Sequence, residues 1–316
     1  MNVIVEREKG LLELEQRIAA LKSQAAQQPV DMTGVIHELE AKYAEIQREV
    51  FGTMSAWQRV NMARHPKRPL SSDYLAALDA FDELHGDRHF RDDHAIVGGF
   101  AKLRGRRVMV IAQEKGRDTK EKVHRNFGMP SPEGYRKVQR LVDLAAHLSL
   151  PLVTFVDTSG ADPGIGSEER AQGEAIAQSL YHFATARTPI VACVVGEGGS
   201  GGALALAMAD RVLMLEHAVY SVASPEGAAA ILWGDAARAE EAASRLRLTS
   251  DDLLEFGIID EIIAEPLGGA HRDGPATVAR VLDAIDASLK TLADVPIDTL
   301  LERRYAKFRR IGAPVS

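Results

Sequence analysis

The chain has 316 residues, 46% of them hydrophobic and 26% charged, with a formal net charge of −7. That balance is ordinary for a globular protein with a sizeable core, gives no general attraction to nucleic acid, and includes no apolar run near the roughly 18 residues of a membrane span. The one cysteine, Cys193, excludes a disulfide framework or a cysteine-based zinc ribbon within this chain, and its apolar surroundings read as a small buried hydrophobe.

The opening "MNVIVEREKGLLELEQ" is charged too early and too often for a secretory signal, so a cytoplasmic protein is expected. Leu11, Leu14, Ile18 and Leu21 recur at helical spacing, as do Ile36, Leu39, Tyr43, Ile46 and Val50, with the breaker "QQPVDMTG" between the two stripes. Residues 1–52 therefore read as a helical hairpin arm that must dock its stripes on the main domain or on a partner chain. Residues 53–316 read as one further domain. Within it, "RRVMVIAQ" (106–113), "LPLVTFVD" (150–157) and "TPIVACVV" (188–195) are strand-like. Helical stretches follow at 132–148, 167–185 and just after 202. "RVLMLEHAVYSVA" gives further strand, "EFGIIDEIIAE" closes the pattern, and the tail 275–311 holds two more helices. Buried strands alternating with helices mean an α/β fold with much parallel pairing.

Two of those strands end in the same device, "DTSGADPGIG" (157–166) and "GEGGSGG" (196–202). Glycine permits close backbone approach, and the unpaired amides of a helix start favour negative charge. Side by side, the two loops outline an oxyanion hole. A phosphate-binding P-loop needs G-K-[ST], yet no lysine occurs between Lys137 and Lys290. "GEGGSG" matches a dinucleotide fingerprint literally, but the next acidic candidate, Glu216, lies inside a strand-like run of its own. Glycines serving only tight helix–strand packing are the structural alternative. The enzymatic rival is a nucleophile elbow at Ser200, served by His217 or His271 downstream. Residue pattern alone leaves the hydrolase and the amide-donor readings level. Basic clusters at 64–69 and 115–128 read as a solvated face or as a site for an anionic ligand.

The motifs "DELHGDR", "AIVGGFAKLRGRRVMVI", "KGRDTKEKVHRNFGMPSPEGYRK", "DTSGADPGIGSEERAQGEAIA", "GEGGSGGALAL", "YSVASPEGAAAILW" and "IIAEPLGGAHR" together resemble the α-subunit family of bacterial acetyl-CoA carboxylase carboxyltransferases. The resemblance runs from about residue 10 to 310. It implies a crotonase-like spiral of ββα units. It further implies transfer of a carboxyl group from carboxybiotin, carried on a separate biotin carboxyl carrier protein, to acetyl-CoA, giving malonyl-CoA for fatty acid biosynthesis. The partners implied are a β subunit in an α2β2 assembly, the carrier protein and biotin carboxylase. The β subunit supplies a four-cysteine zinc ribbon, and no metal is expected in this chain. The family's oxyanion hole falls on Gly201 and Gly202, for the ureido oxygen of biotin. Gly160 and Ala161 are expected on the opposite wall, with Gly198, Gly199 and Ala203 beside them. Ser200 becomes a turn residue. Lys115, Arg117, Lys120, Lys122 and Arg125 are candidates for the CoA phosphates or for a face of the β subunit. The alternatives are a hydrolase of the same fold and an enzyme acting on another acyl-CoA. The family loop usually reads D-T-P-G-A-Y-P-G. Here Ser159 replaces the proline, Asp162 replaces the aromatic, and Gly173 stands where serine is common. Asp162 is expected to face solvent or to pair with a cation such as Arg170.

Overall fold

The computed structural model describes residues 3–27 and 32–312. Apolar runs become strands and amphipathic stripes become helices, in the order α1 (Val3–Gln27), α2 (Thr33–Phe51), α3 (Ala56–Ala63), α4 (Ser71–Ala76), β1 (Ala80–Glu83), β2 (Ile96–Leu103), β3 (Arg106–Gln113), α5 (Thr119–His124), α6 (Pro132–His147) and β4 (Leu152–Thr158). There follow α7 (Ile165–Glu169), α8 (Gln172–Thr185), β5 (Ile190–Gly199), α9 (Ser200–Ala207), β6 (Arg211–Leu215), β7 (Val219–Ser221) and α10 (Pro225–Trp233). The chain closes with α11 (Ala239–Leu246), α12 (Ser250–Glu255), β8 (Glu261–Ile263), α13 (Gly274–Leu292) and α14 (Ile297–Arg310).

The sheet order is β1-β2-β3-β4-β5-β6-β8, with β7 paired to the far end of β5. Strands β1 to β3 pair antiparallel, and every pairing from β3 onward is parallel. A parallel sheet needs cover on both faces. Val108 to Ala112, Val153, Phe155 and Ile190 to Val195 are accordingly all buried, Cys193 among them. Burial also pushes the Cys193 thiol well up, which leaves it an inert core group. Strand β5 serves two layers: residues 191–194 pair with β6, and residues 197–199 pair with β7.

The arm helices α1 and α2 dock on the body of this same chain. Ile4, Leu11, Phe51 and Met62 form one apolar cluster, Met62 coming from α3. Beside it, Glu8 accepts from His65 Nε2 (3.1 Å) and His271 Nε2 (2.7 Å), whose rings stack 3.7 Å apart. One turn pair further on, Glu15 meets Arg272 and Tyr43. The Glu8–His65–His271 grouping has the spacing of a metal centre, with its ligand atoms within 4.8 Å of one another. Its tautomers argue otherwise. His65 Nδ1 accepts the Lys67 N–H (3.2 Å), so His65 Nε2 carries the proton and donates to Glu8. Both imidazoles therefore spend Nε2 as donors, and the group is a hydrogen-bonded clasp.

Candidate amide-donor site between two glycine loops

Strands β4 and β5 deliver the two glycine loops side by side. Their register runs from Leu152↔Ile190 to Thr158↔Gly198, with a shift between Val156 and Thr158 that turns both chain ends out of the sheet. The loops then touch backbone to backbone. A Cβ on Gly202 would lie 2.6 Å from Ala161 N and 2.7 Å from Gly160 C, and one on Gly199 would overlap the Ser159 carbonyl. Gly198 is packed against the Tyr220 ring in the same way, at 2.7 Å, and Gly196 against the Asp157 carboxylate. Most of these glycines are thus needed for packing. Gly201 is the exception: a Cβ there would meet only Ile176, at 3.5 Å.

Helix α9 starts at this junction. Gly199 is its N-cap and supplies no side-chain cap, so Ser200, Gly201 and Gly202 occupy the first helical positions, whose N–H groups have no carbonyl one turn back. Neither the Gly201 nor the Gly202 N–H donates to an acceptor outside α9 among the described residues. Beside them opens an apolar cavity of about 470 Å³, lined by Gly201, Leu204, Tyr220, Leu253, Phe256 and Phe308 among others. Gly201 lines that space, while Gly202 is buried against the first loop. Amides at a helix dipole's positive end stabilise an oxygen that gains charge beside them.

Among the expected cofactor contacts, Gly160, Ala161 and Gly199 come together at the loop junction, half-buried. Gly198 and Ala203 are buried behind it, and none of these five residues lines the cavity. Ser200 is exposed in left-handed geometry (φ 54°), as a nucleophile elbow would be. No histidine or carboxylate lines its cavity, however. His217 is buried elsewhere, with burial lowering its pKa, and His271 is committed to Glu8. A base for Ser200 is missing.

The basic residues separate sharply. Lys115 is held between Asp157 and Glu197, Arg117 is paired with Asp73 (2.7 Å), and Arg125 donates to the His94 carbonyl (2.9 Å). Lys120 and Lys122, on α5, have no such internal acceptor, and Lys122 alone of these two lines a cavity of about 250 Å³ next to Ser159. Asp162 departs from its expected pairing. It accepts from Ser167 Oγ (2.6 Å) and from the Gly164 N–H, while Arg170 is taken by Glu133 (2.6 Å). The carboxylate is spent on its own loop because a cap two to five residues away needs no reorientation of the chain. Gly173 is exposed with open space around it, so a serine would fit there unchanged.

Sequence reasoning missed the buried ionic cluster behind the loops. Burial pushes the Glu197 carboxyl up, but Lys115 and Arg64 outweigh it and hold it at about 2. Lys115, which burial would lower, is raised to about 12 by Asp157 and Glu197. Arg68 is buried and bidentate on Glu265 (3.0 and 2.5 Å) while donating to the Val195 carbonyl (2.7 Å). Glu197 stands inside the quoted "GEGG", and a carboxylate at a strand end between buried residues was the available signal.

Among solved structures, transcarboxylase 12S with methylmalonyl-coenzyme A and methylmalonic acid bound aligns with a TM-score of 0.58 at 21% identity, over 71% of this chain and 41% of that one. A Pseudomonas malonate decarboxylase hetero-tetramer in complex with coenzyme A gives 0.55 at 21%, over 68% and 89%. These likenesses establish the crotonase-like fold. The acetyl-coenzyme A carboxylase carboxyl transferase subunit alpha of Geobacter metallireducens is 52% identical over 309 residues, 98% of this chain and 97% of that protein. The profile of one family spans residues 4–312. With that span and that identity, the chain belongs to the acetyl co-enzyme A carboxylase carboxyltransferase-like family.

Proposed function

We propose that this chain is the α half of a two-subunit, biotin-dependent carboxyltransferase and that the N–H groups of Gly201 and Gly202 are its catalytic donors. The observation that carries the reading is the place of those two amides in the first turn of α9, with Gly201 lining an apolar cavity. An uncharged ring suits such a cavity, and a single oxygen on it that becomes anionic suits the amides. Carboxybiotin, tethered to a carrier protein, supplies the transferable carboxyl group when bound. The chain's own part is to fix the ring with Gly160, Ala161 and the α9 start, to exclude water with Leu204, Tyr220 and Phe256, and to stabilise developing charge on the ring oxygen through the two amides. Each donor is worth about 2.7–4 kcal/mol at the transition state. Among the described residues no histidine or carboxylate lines that cavity, which leaves proton removal from the acyl-CoA to the other reactant.

The acyl acceptor is acetyl-CoA, held by a β subunit that bears the zinc ribbon, in an α2β2 complex working in the cytoplasm with biotin carboxylase. Residues 1–52 serve as its arm and residues 53–316 as the carboxyltransferase body. Lys120 and Lys122 face outward for the CoA phosphates or the β subunit. The test is reconstitution. The purified chain alone is expected to show no biotin-dependent malonyl-CoA decarboxylation, and adding the zinc-bearing partner is expected to bring it on. Turnover by the isolated chain, or none from the assembled complex, would overturn the proposal.

A further inference from the structure

We infer that Lys115 is a positioning residue: its ammonium braces the two glycine loops against each other and sets the spacing of the amide donors. The inference rests on the carboxyltransferase reading only for its kinetic consequences. Lys115 lies two residues beyond β3. Its Nζ is 2.7 Å from Asp157 Oδ1 and 2.7 Å from Glu197 Oε2. Asp157 opens the first loop and Glu197 opens the second, and Asp157 Oδ1 also accepts the Glu197 N–H (2.8 Å). A third chain segment thus pins the two loops at their roots.

The same end of β3 supplies a second tie. Gln113, fully buried, donates from Nε2 to the Gly202 carbonyl (2.8 Å) and accepts the Asp157 N–H at Oε1 (3.2 Å). From the other side, Arg64 reaches Glu197 Oε1 (2.6 Å) and Glu226 Oε1 (2.5 Å), extending the lattice to α10. The alternative role, grip on an incoming anion, does not fit the charges. In the cavity beside Ser159, Arg64, Arg68, Lys115 and Arg117 each already hold a carboxylate. Among the described residues, Lys122 is the cation there with no carboxylate partner. Without Lys115, two carboxylates at the loop roots lose their shared cation, and their repulsion spreads the loops.

The test uses the reconstituted α–β complex with Lys115→Met and Lys115→Arg. Readouts are kcat and the malonyl-CoA KM for biotin-dependent decarboxylation, and amide exchange of 157–166 and 196–207 by mass spectrometry. Lys115→Met is expected to lower kcat about 100-fold with KM within about threefold. Exchange in both loops should quicken together. The arginine variant keeps the charge and should stay within about tenfold of the wild type. An unchanged kcat would overturn the proposal, and so would a KM raised about tenfold at constant kcat, since that marks a substrate contact. If the wild-type complex has no activity, the functional reading fails, but unchanged loop exchange in Lys115→Met still refutes the brace. Should that variant not fold, Lys115→Gln removes the same cation while keeping a polar side chain and is held to the same criteria.

Discussion

Gly201 and Gly202 are neighbours with different tolerances, because a methyl group on one meets Ile176 at 3.5 Å and on the other meets the backbone of Ala161 at 2.6 Å. Gly201→Ala is therefore expected to keep its melting temperature within about 2 °C and its kcat within about tenfold, since the donor is the amide and not the side chain. Gly202→Ala should lose about 1–3 kcal/mol of stability through overpacking. It should also lose about 10²–10³ in kcat as the amides shift off target. Thermal melts and steady-state kinetics of the complex decide, and equal behaviour of the two variants contradicts the assignment. Ser200 sits between them in its logic. At φ 54° a residue with a side chain costs about 1–2 kcal/mol, so Ser200→Gly should raise stability by about 1 kcal/mol. Activity should persist in that variant, and a fluorophosphonate should leave the wild type unlabelled. Labelling at Ser200 would revive the hydrolase.

Among the elements, the glycine loops, the buried strands and the arm were readable because each advertises itself by a local rule: glycine clusters, apolar runs, helical periodicity. What was not readable depended on distant partners. "AFDE" is a strand only because β2 pairs with it, and β2 itself carries two glycines and a half-buried Phe100 that blur its alternation. The helix expected over 167–185 breaks at Ala171, which adopts φ 63° with no glycine or proline to announce it. Lys115 belongs to a basic run that reads as solvated, and only the fold brings Asp157 and Glu197 to it. The arm clasp adds a pH dependence. Burial keeps His271 below its ordinary 6.5 despite Glu8, so its share of stability is present above that pH and is lost as pH falls through 6.5 and below. Burial raises the Glu8 carboxyl, but His271 and His65 bring it down to about 2, so its share is full above 4.5 and lost as pH falls towards 2. Arm amides should thus lose protection, measured against their intrinsic exchange rate, as pH falls below 6.5 in the wild type. His271→Gln, which donates without titrating, should abolish that step; if the step remains, the clasp is not its source.

At the scale of the whole molecule, the cavity beside Gly201 has exposed apolar groups near it. Val222, at the cavity wall, and Ile231 and Leu232 on α10 are 77%, 81% and 65% exposed. Large apolar groups so exposed are what a partner chain covers. With the β subunit of the proposed assembly covering α10, Ile231→Asp is expected to weaken their association at least about tenfold. Far-ultraviolet circular dichroism and the melting temperature should stay unchanged, because Ile231 is largely exposed. Sedimentation of the mixed subunits measures it, and undiminished assembly would move the interface elsewhere.

The contact between the two glycine loops also constrains how such a chain diverges. With no room for a methyl group between Gly202 and Ala161, or between Gly199 and Ser159, neither strand end can lengthen, shorten or shift independently. Grafting residues 157–166 alone from a distant homologue should fail where grafting them together with 196–202 succeeds. The pair drifts as one heritable unit.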